Sequence, residues 1–334
     1  MKINAFAATT AKAALEPFSY DPGPLGPQEC EVAVTHCGIC HSDICMIDND
    51  WMMSQYPLVP GHEVVGTVVA VGSEVHGLQV GQRVGVGWQS GSCGECEYCR
   101  RGRENYCNLE RDTIVRHHGG FGDRVRTDAD FAIPLPDGLD GAAAAPLLCA
   151  GTTVFTPMLH HPVTAMMRTA VVGIGGLGHL AVQFLAKLGC EVTAISSTRS
   201  KEKEARTLGA TDFIATKEAG ALQKAAKTFD FVISTVPADL PWPEYIDTLR
   251  PEGTLCIVGI PQNDLRFPAI GLIAASKQVT GGRTGSPSDI STMLNFAARH
   301  GVQAQIEKFA MKDVNAGLDR VRSGEARYRV VLVA

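Results

Sequence analysis

Cys93, Cys96, Cys99 and Cys107 follow one another as Cys-x2-Cys-x2-Cys-x7-Cys, with Gly91, Gly94 and Gly102 beside them. Short glycine-rich spacers let a backbone fold around an ion so that four thiolates meet at tetrahedral corners, each about 2.3 Å from zinc. A site closed by four thiolates has no position left for substrate, so this metal would be structural. An iron–sulfur site, a redox cluster or unrelated surface thiols are the alternatives that spacing leaves open. The chain has 11 cysteines, an odd number, and its 334 residues need no disulfide staples. In a cytosol that keeps thiols reduced, clustered cysteines are ligands before they are bridges. Cys30, Cys37, Cys45, Cys190 and Cys256 stand among apolar or small residues and read as packing.

Gly173-Ile174-Gly175-Gly176-Leu177-Gly178 is a Gly-x-Gly-x-x-Gly sequence with an apolar strand, Ala170-Val171-Val172, running into it. The segment leaving it places Leu177, Leu180, Ala181, Phe184, Leu185 and Leu188 on one helical face and stops at Gly189. A glycine-lined turn lets backbone amides approach a pyrophosphate at the positive end of the helix. A carboxylate about 20 residues further on would hold the adenosine ribose hydroxyls of NAD. The chain instead reads Ser196-Ser197-Thr198-Arg199-Ser200-Lys201, hydroxyls and two cations without an acid, which suits a 2′-phosphate. NADP(H) is therefore expected. The plain alternative is that Arg199 and Lys201 are solvated residues opening a helix.

These motifs need elements to carry them. Residues 31–36, 64–71 and 81–87 read as strands in a region punctuated by proline and glycine, with little helical periodicity. The texture changes near Ala142. From residue 169 strands (169–173, 191–196, 212–215, 229–235, 254–259) alternate with helices (176–188, 200–208), the pattern of an α/β doubly wound parallel sheet. A helix within 311–323 and a strand over 328–333 would return the tail to the first domain. The expected division is residues 1–146 with 286–334, and residues 147–285. Hydrophobic residues make up 45% of the chain and charged residues 19%, a globular balance. The net charge of −5 comes without a basic stripe, which argues against nucleic acid. The longest apolar stretch, 142–155, is too short to span a membrane and contains Pro146. With no leader-like amino terminus, a cytoplasmic location is expected.

Three further segments stand out: Gly38-Ile39-Cys40-His41-Ser42-Asp43, Gly61-His62-Glu63-Val64-Val65-Gly66 and Pro146-Leu147-Leu148-Cys149-Ala150-Gly151. Cys40, His62 and Cys149 would make an open two-thiolate, one-imidazole site, the ligand set known for zinc alcohol dehydrogenases. Together with the cysteine lobe, the glycine fingerprint with His179, and Ala326-Arg327-Tyr328-Arg329-Val330-Val331, they resemble the medium-chain zinc-dependent alcohol dehydrogenases over essentially the whole chain. Within that family the sequence looks like the cinnamyl-alcohol-dehydrogenase branch, and most of all the bacterial broad-specificity NADPH-dependent aldehyde reductases.

The resemblance implies a Rossmann domain plus a discontinuous, mostly-β GroES-like catalytic domain, two Zn2+ per chain and NADP(H). It implies that Asp43 orients His62, that Glu63 lies behind the metal as an occasional ligand, and that Ser42 hydrogen-bonds the reacting oxygen. His41 would lie near the cofactor phosphates, Thr153 and Leu177 would contact the nicotinamide, and Arg329 would reach the cofactor from the tail. Trp51 and Trp88 would line the substrate pocket. Many relatives carry a histidine five residues after the first zinc cysteine as the outer end of a proton relay; here Cys45 stands there. The expected activity is reduction of aliphatic and aromatic aldehydes to primary alcohols by a homo-oligomer, a dimer first. A polyol-type dehydrogenase using NAD, and a catalytically silent zinc protein, are the rivals. The two tryptophans argue against the first, and the three retained ligands against the second.

Overall fold

The computed structural model describes residues 2–334, which form two compact units: the chain up to Thr152 together with Thr284–Ala334, and Thr153–Arg283. The division falls six residues after the expected 146/147 boundary, inside the helix Ala150–His160, and returns at 283/284 rather than 285/286. The change of texture near Ala142 marks where helix begins, not where packing changes. The turn of helix Gly141–Ala144 and the 3-10 turn Ala145–Leu148 still pack on first-unit strands: Gly141 abuts His36 and Val65, and Leu148 fills the space beside Gly85. Cys149 therefore belongs to the same unit as Cys40 and His62.

The main sheet of the first unit runs in the order Ile306–Ala310, Arg329–Val333, Glu29–Ile39, Val64–Val71, Arg83–Val86, Ile133–Pro134, with Arg124–Asp128 also paired to Glu29–Ile39. Glu29–Ile39 is the spine, long enough at 11 residues to take three antiparallel partners. Its partner Val64–Val71 is rich in valine, whose branched side chains fit a pleated, buried face. Glu31 is held on the spine by Arg124 and Arg126 at 2.6 and 3.0 Å. The last strand, Arg329–Val333, pairs Val330 with Ile39, which delivers Arg329 to the end of the spine.

Of two further helices in this unit, only the first has a weak periodic signal; the second buries Ile290, Met293, Leu294 and Ala297 on one face. His41–Asp48 buries a contiguous run, Asp43 to Ile47, and stops at Asn49 with a φ of 59°. Pro287–His300 is opened by a capping box between Ser286 and Asp289 and closed by Gly301 at φ 69°.

The second unit holds a six-stranded parallel sheet in the order Asp212–Ala215, Glu191–Ser196, Arg168–Val172, Phe229–Ser234, Leu249–Ile257, Gln278–Gly281. Buried on both faces, its central strands are near-continuous Val, Ile, Ala and Phe. The helix after the fingerprint spans Gly178–Lys187, and Gly189 leaves it at φ 91°. Among the described residues, no single helix is long and apolar enough to cross a membrane.

Candidate metal centres and cofactor site

The four-cysteine lobe folds through two 3-10 turns, Cys99–Arg101 and Glu104–Tyr106. Its sulfurs lie 3.5 Å apart for Cys96–Cys99 and Cys93–Cys107, and 3.9 Å for Cys93–Cys99. A tetrahedron with arms of about 2.3 Å has edges of about 3.8 Å, so the spacing fits one zinc ion. It is far too long for disulfides, and all 11 cysteines are free. Backbone N–H groups of Cys96 and Leu109 donate to the Cys93 and Cys107 sulfurs. Backbone bonds from Glu95 and Cys96 lower the Cys93 thiol to about 6, which favours the thiolate that a metal needs.

The second group gathers Cys40, His62, Glu63 and Cys149 with ligand atoms within 4.8 Å of one another. Asp43 organises it. One carboxylate oxygen accepts Cys40 N–H at 2.8 Å; the other accepts Gly61 N–H at 2.8 Å and His62 Nδ1 at 2.9 Å. A single buried side chain thus anchors the backbone of one ligand and the ring of another, turning His62 Nε2 inward. His62 Nε2 and Glu63 Oε2 are buried without a hydrogen-bond partner, and the Cys40 and Cys149 sulfurs are 3.9 Å apart. Orphaned polar atoms beside two thiols are a donor set for a cation such as zinc.

The two thiols shift one another in opposite directions. The hydrogen bond from Cys149 holds Cys40 well below the usual thiol range, helped by His62 and Arg329, and Cys149 rises in compensation. Burial disfavours charge on His62, yet Asp43 and Cys40 outweigh it and raise its pKa. Burial lifts Glu63 to about 7 against the pull of Arg329. Gly38 makes room for this carboxylate: a Cβ there would come within 1.9 Å of Glu63 Oε2.

Around the ligands, Ser42 Oγ is 3.7 Å from the Cys40 sulfur and half-buried, while His41 is exposed. The Trp88 ring stands edge-on to His62 at 5.0 Å and to Trp51 at 6.0 Å, an aromatic wall beside the donors. Arg329 is buried and ion-paired with Glu63, so the structure places it behind the ligand group. Cys45 is buried on the helix His41–Asp48, and burial lifts its thiol to about 11.

In the second unit, Gly173 turns at φ 88°, and Gly178 packs so closely that a Cβ would lie 1.8 Å from the Gly173 carbonyl oxygen. A Cβ on Gly175 would meet nothing within 4 Å; the bare backbone faces open space, as close approach by a pyrophosphate requires. His179 braces the turn, its Nδ1 2.9 Å from the Gly175 carbonyl. Gly176 and Leu177 complete the turn, and Thr153 lies half-buried on Ala150–His160. Beyond the strand Glu191–Ser196, Ser197 and Thr198 are exposed, and Thr198 Oγ1 lies 3.0 Å from Ser200 Oγ. Lys201 donates to the Ile174 carbonyl at 2.6 Å. Arg199 is engaged by Glu218 at 2.6 and 3.1 Å and by Glu202 at 2.8 Å. The segment Ser196 to Lys201 itself carries no acid, but the fold brings Glu218, nineteen positions away from Arg199 in sequence, against that side chain, and no local motif announces it.

Two family models match the chain: an alcohol dehydrogenase GroES-like domain over residues 26–137, and a zinc-binding dehydrogenase over residues 176–299. The chain belongs to the zinc-dependent medium-chain alcohol dehydrogenases, enzymes of the alcohol dehydrogenase and aldehyde reductase class. It is 47% identical over 330 residues to an aldehyde reductase of Synechocystis sp., covering 99% of this chain and 98% of that one. A cinnamyl alcohol dehydrogenase structure from Sorghum bicolor is similar at a TM-score of 0.95 and 39% identity, covering 100% of this chain and 98% of the other. A cinnamyl alcohol dehydrogenase from Helicobacter pylori, solved with NADP(H), matches at a TM-score of 0.91 and 27% identity, with coverage of 100% and 98%.

Proposed function

We propose that this enzyme reduces a broad range of aliphatic and aromatic aldehydes to primary alcohols with NADPH, using one catalytic and one structural zinc per chain. The observation that carries the chemistry is the convergence of Cys40, His62 and Cys149 donors, with partnerless His62 Nε2, beside the Ser42 hydroxyl and the Trp88 ring. Zinc held there supplies Lewis-acid polarisation of a carbonyl oxygen, and the nicotinamide supplies the hydride.

The chain's own residues do the rest. Asp43 keeps His62 in one tautomer and orientation, which sets its strength as a ligand. Ser42 Oγ donates the proton to the oxygen that becomes the alcohol, and is recharged from water. Trp51 and Trp88 present an apolar wall to the substrate chain and exclude water from it, which favours alkyl and aryl aldehydes over polyols. Glu63, ion-paired with Arg329, would offer the metal an alternate oxygen donor. The open face of Gly175 supports dinucleotide binding, and the hydroxyl-bearing strand end Ser196 to Thr198 supports the 2′-phosphorylated form. A cytoplasmic setting agrees with free thiols in both metal groups. A homodimer is favoured by the exposed Ile260, Ile270 and Ile273 and by the edge position of the strand Gln278–Gly281.

Steady-state kinetics with NADPH and NADH across short alkyl, long alkyl and aryl aldehydes test the reading. Higher kcat/KM with NADPH, narrowed by Ser196→Asp, is the expected outcome. A wild-type preference for NADH would overturn the cofactor assignment, and a preference for polyols the substrate assignment.

A further inference from the structure

The Arg199 guanidinium stands where the sequence offers a cation for a phosphate, but its Nε–Nη2 edge is already filled. Nε and Nη2 donate to the two carboxylate oxygens of Glu218 at 2.6 and 3.1 Å, and Nη1 donates to Glu202 at 2.8 Å. Glu202 is itself shared, taking two further bonds from Arg206 at 3.2 and 2.9 Å. Glu218 arrives from the neighbouring strand. After Asp212–Ala215 the pairing continues, with Thr216 N–H donating to the Ser196 carbonyl and Lys217 N–H to the Ser197 carbonyl. The next residue is laid against Arg199 by that register.

A guanidinium fork recognises carboxylate and phosphate through the same paired N–H groups, so one edge cannot serve both at once. We propose that Glu218 is a specificity-determining residue for the cofactor: it occupies the Nε–Nη2 edge of Arg199, and a 2′-phosphate gains that edge only by displacing the Glu218 carboxylate. Glu218 thereby restrains discrimination between the phosphorylated and unphosphorylated dinucleotides. Arg199 and Glu218 are both about half exposed. Exposed pairs are weak and exchangeable, so Glu218 tunes the preference rather than blocking it. The assignment rests on the reading that the adenosine ribose lies at this strand end.

The test uses the full-length, zinc-loaded enzyme at low salt, with dissociation constants for adenosine 2′,5′-bisphosphate and for AMP measured by calorimetry. The proteins are wild type, Glu218→Gln, Arg199→Met and the double variant. Glu218→Gln should tighten the bisphosphate about two- to fivefold, the range an exposed ion pair can supply, and leave AMP unchanged. The gain should vanish in the Arg199→Met background. Weaker or unchanged bisphosphate binding in Glu218→Gln would overturn the proposal, because the carboxylate would then orient Arg199 or do nothing. Equal tightening with Arg199 removed would also overturn it, leaving only the general field of a negative charge. The cofactor reading is scored separately by wild type, where bisphosphate binding no tighter than AMP would refute it. Thermal melts of all four proteins report folding alongside.

Discussion

Asp43 is the residue whose loss should be felt by fold and metal together, and Asp43→Asn isolates its role with almost no change in shape. The wild-type carboxylate accepts three bonds, one at the oxygen facing Cys40 N–H and two at the oxygen facing Gly61 N–H and His62 Nδ1. Asparagine offers one carbonyl oxygen and one amide. With the oxygen kept toward Gly61 and His62, the amide meets the buried Cys40 N–H donor to donor. One orphaned buried N–H costs about 1–3 kcal/mol, and the bond to His62 loses its charge assistance. Together about 2–4 kcal/mol is expected, which at roughly 2–4 °C per kcal/mol for domains of this size gives a fall of about 4–16 °C in melting temperature. A weakened partner behind a metal-ligating histidine typically costs 10–100-fold in metal affinity, so zinc retention against a chelator should fall by that factor. Asp43→Ala, which abandons all three donors, should exceed both effects. The assays are calorimetric melting of the zinc-loaded protein and a chelator competition series. Zinc affinity within about twofold of wild type would refute the claim that Asp43 holds the ligand set, even with a lowered melting temperature. It would reduce the residue to a backbone anchor.

Three other outcomes follow from the same geometry. Elemental analysis should give two zinc ions per chain, and Cys96→Ala should lose one of them together with folding stability, whereas Cys40→Ala should lose activity with the fold retained, because a structural metal contributes folding energy directly. Ser42→Ala should lower turnover by about 10²–10⁴-fold, while Cys45→Ala should change it little, since a buried thiol lifted to about 11 stays protonated at neutral pH and offers no base to a relay. Cys45→His should add a titration near neutrality to the pH–rate profile, and a large loss in Cys45→Ala with zinc intact would make the thiol a participant. Burial works against the Glu31 carboxylate, but Arg124 and Arg126 outweigh it and hold its pKa below the ordinary glutamate value. Its contribution is therefore present above that value and lost as pH falls through the lowered one. Glu31→Gln should melt lower than wild type at pH 7 by the equivalent of about 1 kcal/mol, with the gap closing in acid.

What the sequence by itself determined was the chemistry carried by local spacing. The four-cysteine lobe and the glycine fingerprint are short-range objects, fixed by a few bonds between neighbours, so counting residues suffices to read them. The alternation after residue 169 likewise specifies a parallel sheet, because each strand and helix carries its own periodicity. The helix His41–Asp48 was illegible because it buries a contiguous apolar run rather than a periodic face. Cys40, His62 and Cys149 stand far apart in the chain, and their grouping was readable only through resemblance. Physically it is decided by strand register and by Asp43 reaching from one segment to another. Tertiary structure alone decided that Glu63 needs the missing side chain of Gly38 and the charge of Arg329, brought by the final strand. It alone set Glu218 against Arg199, since the pairing of two parallel strands chooses that neighbour. Contacts of this kind depend on which chain segments lie side by side, and no local pattern of residue types encodes that choice.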